Sequence, residues 1–127
     1  RDYAWSEYST KVYFAVWRAW LRELYARVRR FEREQKLGDH ASLDGTVDIH
    51  FVINRDGSVS NLTVVAPSVL GTLDEASSAA LLGAVLPPLP EDFPRDSEGV
   101  TFRFVLAVDG ALQMERGLRY RRSRGEF

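Results

Sequence analysis

Gly45 to Val65, GTVDIHFVINRDGSVSNLTVV, reads as two strands joined by a turn. Val47, Ile49, Phe51 and Ile53 alternate with Asp48, His50 and Val52, so one face is apolar and the other mostly polar. Asn54-Arg55-Asp56-Gly57 is a hairpin signal, because Gly57 can take the positive φ that such a turn requires. The return strand, Val59 to Val65, alternates less strictly and ends near Pro67.

The flanks read as helix and strand in turn. Upstream, Trp5 to Glu34 holds no Gly or Pro, and Tyr13, Val16, Trp17, Trp20, Leu24, Val28 and Phe31 recur at spacings of three and four. Those spacings predict one long helix with a single apolar stripe, within a helical region spanning residues 1–37. Ser9 or Thr10 is a candidate cap for a later start, and Gly38 marks the stop, with Lys36 in the last turn. Glu23 stands four residues before Arg27, a favourable pair on one helix face. Downstream, Thr72 is a candidate N-cap for a helix opening at Leu73-Asp74 and running to about Leu86, where Pro87-Pro88 ends it. A third strand, Val100 to Val108, places Val100, Phe102, Phe104 and Leu106 on one face. Asp109-Gly110 signals another turn, with Ala111 to Glu115 returning as a fourth strand. Residues 117–127 read as a flexible tail. The fold class is therefore α+β: a small antiparallel sheet of three or four strands with two helices packed on one face.

Composition narrows the function classes. The 127 residues suit one domain with a modest core, and the 45% apolar and 28% charged fractions are ordinary for a globular protein. A net charge of −1 provides no global attraction to nucleic acid. Charge is uneven, however: Lys11 to Lys36 holds eight basic and three acidic residues, Leu37 to Val100 two and ten. There is no cysteine, hence no disulfide or thiolate site, and no apolar run approaches the ~20 residues that span a bilayer. The chain begins with Arg1, which suggests a piece of something longer.

The order of these pieces resembles the TonB and TolA carboxy-terminal domain family. They are Gly45 before an alternating strand, the turn Arg55-Asp56-Gly57, Leu73-Asp74 opening an alanine-rich helix, the exit LPPLPEDF, and a strand VTFRF. The resemblance covers about residues 45–108. The long first helix with Trp17 and Trp20 is more similar to TolA-like modules. What the resemblance implies is a non-catalytic periplasmic domain of a protein anchored in the inner membrane. It would be driven by an inner-membrane motor through a missing N-terminal segment and would pull on a protein partner in the outer membrane or periplasm. TolA-like and motility or secretion roles are the alternatives, along with a homodimer formed by edge-strand exchange.

Candidate chemistry is sparse. His40 and His50 are the only histidines, with only Asp48 alternating nearby, so surface histidines are the simpler reading. Asp48, Asp56 and Asp74 have plain roles at a strand surface, a turn and a helix start. No nucleophile elbow, phosphate loop or dinucleotide fingerprint is present, and no enzyme, metal or cofactor is expected. The helical arginines are interleaved with Glu23, Glu32 and Glu34 and read as a solvated face, with no nucleic-acid partner. The partner-binding candidate is the third strand, Val100, Thr101, Phe102, Arg103, Phe104, Val105 and Leu106, placed at a sheet edge where an extended peptide can pair. Arg103 is available there for an acidic partner residue. If Ala111 to Glu115 covers that edge, Val59 to Val65 becomes the open one.

Overall fold

A computed structural model describes residues 2–37, 43–108 and 118–121. Helix α1 (Asp2–Ala26) and helix α2 (Val28–Leu37) are followed by strands β1 (Leu43–Asn54) and β2 (Val59–Ala66). Helix α3 (Gly71–Gly83) and strands β3 (Ser97–Val108) and β4 (Leu118–Arg121) complete the order. The strands form one antiparallel sheet in the order β2-β1-β3-β4, so the α+β class is as the sequence implies. Gly38, His40, the Asp109-Gly110 turn and Ala111 to Glu115 lie outside the described residues. The fourth strand comes from Leu118–Arg121, inside the stretch read as a tail, where Leu118 and Tyr120 alternate with two arginines.

The core lies between the sheet and the helices. Val47, Ile49, Phe51 and Ile53 of β1 and Val100, Phe102, Phe104 and Leu106 of β3 are all buried, as their alternation requires. From α1, Val12, Val16, Ala19, Trp20 and Leu24 close over them. Trp20 sits 5.5 Å from the Phe104 ring and donates its indole N–H to Ser77 Oγ at 3.0 Å. That bond satisfies the one polar atom of a fully buried tryptophan and ties α1 to α3.

The expected single helix is interrupted at Arg27. Its amide bonds back to Leu24 in a tight three-residue step, and its guanidinium spans Glu23 at 2.6 Å and Glu75 of α3 at 3.1 Å. Arg30 also pairs with Glu75. The pairing with Glu23 and then Glu75 holds the Arg27 charge above its ordinary range, and the two arginines hold the Glu75 carboxyl below its own. The helical region begins at Asp2, within the expected span 1–37, and not at the later start that Ser9 or Thr10 offered. Ser9 and Thr10 are inside it, and their hydroxyls bond back to the Ser6 carbonyl instead of capping.

Helix α3 also differs at its start. It opens at Gly71 with Leu70 at the cap position and no cap bond from that side chain. The Thr72 amide donates to both Glu34 carboxylate oxygens, at 3.2 and 3.3 Å. A carboxylate reaching over from α2 thus does the work assigned to Thr72. Asp74 accepts from the Ser68 amide and hydroxyl, holding the entry loop. Gly45 permits this approach, because a Cβ there would stand 3.0 Å from Leu73 Cδ2.

The β1–β2 turn is a second organising centre. Gly57 takes φ +91°, and Asp56 accepts from the Ser58 amide and hydroxyl. Those bonds hold the Asp56 carboxyl below its usual range. Arg55 reaches the carbonyls of Pro90, Phe93 and Arg95 and the Asp96 carboxylate, while its own carbonyl accepts from the Leu89 amide. The proline-rich connection is therefore fastened to the hairpin it passes.

Candidate functional site

The sheet has two long sides of unequal quality. β1 and β3 pair without a break from Leu43 opposite Val108 to Asn54 opposite Ser97, twelve pairs in constant register. The outer side of β3 is consequently straight and regular. β4 occupies part of it, with Thr101 opposite Arg121 and Phe104 opposite Leu118. So the edge expected to be open at Val100 to Leu106 is covered over 101–104 by a strand that adds antiparallel to it.

The opposite side belongs to β2, which has no outer neighbour among the described residues. Its register with β1 slips twice, between Asp48/Ile49 and His50/Val52, and each slip leaves one extra residue on β2. Asn61, in the second slip, takes a left-handed φ of 53°. Such bulges interrupt the regular spacing of donors and acceptors and bend the strand, a common way of blunting an edge. Val64 and Val65 are exposed here, Val65 by 54%.

The seven expected site residues divide by face. Val100, Phe102, Phe104 and Leu106 are buried in the core, so only their backbone is available to a partner. Thr101, Arg103 and Val105 lie half-exposed on the other face. Arg103 is already engaged: its Nε and Nη2 donate to the two Asp48 oxygens at 2.8 and 3.0 Å across the β1–β3 ladder. This forked pair raises the Arg103 pKa and is the local partner that sequence reading had left for another protein. Beside it, His50 Nδ1 and Thr101 Oγ1 lie 3.0 Å apart. His50 thus has a structural role on the sheet surface. No cluster of three or more potential metal ligands occurs among the described residues.

An α+β domain whose β3 ladder offers a straight side occupied by one short strand has the makings of an interaction module. The family described as Gram-negative bacterial TonB protein C-terminal matches this chain over residues 38–106, more than half its length. The chain belongs to that family, which is a periplasmic, non-enzymatic protein-interaction domain. No curated protein and no solved structure shows significant similarity to it. No helix among the described residues is long and apolar enough to cross a membrane.

Proposed function

We propose that this domain couples an inner-membrane motor to an envelope partner by accepting a strand along the outer side of β3, Val100 to Leu106, and passing force through it. The observation that carries this reading is the unbroken β1–β3 register, which keeps β3 straight and its outer groups evenly spaced. β4 supports it, since antiparallel pairing to this side is geometrically satisfied there. The bulged β2 offers no comparable length of regular edge.

β4 must yield for a longer strand to bind, and its energetics allow that. Net gain per backbone hydrogen bond is ~0.5–1.5 kcal/mol, whereas ordering each residue costs ~1–2 kcal/mol. A four-residue strand is close to balanced on those terms. A partner segment that also anchors side chains beside Thr101 and Val105 would outcompete it.

A photo-crosslinking residue placed at Val105 in cells tests the proposal. Crosslinks to an outer-membrane protein from position 105, with none from position 65, are expected. The reverse pattern, or crosslinks only between copies of this chain, would overturn it.

A further inference from the structure

The outward face of α1 carries a feature that strand addition does not use. Lys11, Phe14, Arg18, Arg22 and Tyr25 of α1, with Arg29 at the start of α2, follow at spacings of three and four, and all six are exposed. Phe14 and Tyr25 are 50% and 53% exposed, unusual for aromatics on a helix whose apolar stripe is already buried. None of the four cations makes a hydrogen bond or ion pair with another described residue, in contrast to Arg27 and Arg30 on the next turns. Midway along this row an open groove of about 170 Å³ runs between α1 and the end of α3. Ala15 and Ala19 line one side, Gly83 to Val85 the other, and Arg18 and Arg22 lie along it. Val85 is 90% exposed.

We infer that this groove docks a short acidic segment of a partner protein, one apolar side chain seated between Ala19 and Val85 and flanking carboxylates on Arg18 and Arg22. Size supports the choice: the groove is well below the ~300 Å³ of ordinary small-molecule sites but admits a single side chain. Charge supports it too, since two guanidiniums with no carboxylate partner among the described residues are matched by a bidentate acidic ligand. A lipid surface fits less well. The main apolar stripe of α1 is buried in the core, which leaves isolated apolar side chains and no continuous apolar face to enter a bilayer, and a flat headgroup layer cannot fill a groove.

The probe is a fluorescein-labelled peptide with one leucine flanked by two glutamates and a proline at each end, which bars it from adding as a strand. Fluorescence anisotropy should show saturable binding that weakens with salt and fails for the lysine-for-glutamate version. R18E/R22E should reduce affinity at least 10-fold with an unchanged circular dichroism spectrum, as should V85D. Equal binding by R18E/R22E, or none to the wild type at millimolar protein, would overturn the proposal. So would an R18E/R22E-sensitive association with phosphatidylglycerol vesicles in the absence of peptide binding, which would assign the row to a membrane. Self-association abolished by R18E/R22E, again without peptide binding, would assign it to a second copy and equally overturn it.

Discussion

Gly57 shows how much one residue of the hairpin decides. A side chain there meets two obstacles at once, the positive φ and the Leu86 carbonyl, which would lie 2.4 Å from the new Cβ. Left-handed backbone alone costs an ordinary residue ~1–2 kcal/mol. The carbonyl belongs to the connection that Arg55 fastens, so it has little room to retreat. Gly57→Ala is therefore expected to lower stability by more than ~2 kcal/mol, seen as a lower urea midpoint at unchanged m value. Arg55 offers a parallel case. Its guanidinium serves three backbone carbonyls, and hydrogen bonds to a charged group contribute ~1.5–3 kcal/mol net. Arg55→Ala should loosen residues 87–96, measured as faster amide exchange there than in β1.

Among the elements, the contact that Arg30 and Arg27 make with Glu75 of α3 responds to acid. Glu75 is held below its ordinary pKa by Arg30 and Arg27, so its folded form binds a proton less readily than the unfolded chain. The stability it contributes is complete above the usual carboxylate range and is lost as pH falls through its depressed value. Glu75→Gln should thus be less stable than the wild type at pH 7, with the gap closing toward pH 3, as followed by thermal melts across that interval. The β4 strand makes a second expectation at this scale. A chain ending at residue 117 should expose 101–104, raising the Val105 crosslink yield several-fold while leaving β1 exchange unchanged.

Across the whole molecule, what could be read in advance divides by distance along the chain. The strict alternation of Val47 to Ile53 and the three-and-four spacing of Val16 to Leu24 are local, and both were legible. Glu34 on the Thr72 amide, Asp48 on Arg103 and Arg55 on Arg95 join residues 38, 55 and 40 positions apart, and no local pattern announces them. β2 is intermediate: its weak alternation was visible, but not that Asn61 and a second slip turn it into a bulged edge. The candidate strand itself was legible. Its cover was not, because four alternating residues are too few for a period to stand out.

The two slips of β2 also govern what this domain can build. Open-ended fibres need a template on each side of the sheet, one to give and one to receive. Here only the β3 flank is regular, so copies that join through it by displacing β4 meet edge to edge about a two-fold axis and then stop. Sedimentation at rising concentration should accordingly show a ceiling at two copies. Deleting both extra residues, Asn61 and Val65, would straighten the other flank and should lift that ceiling, producing larger species in the same experiment.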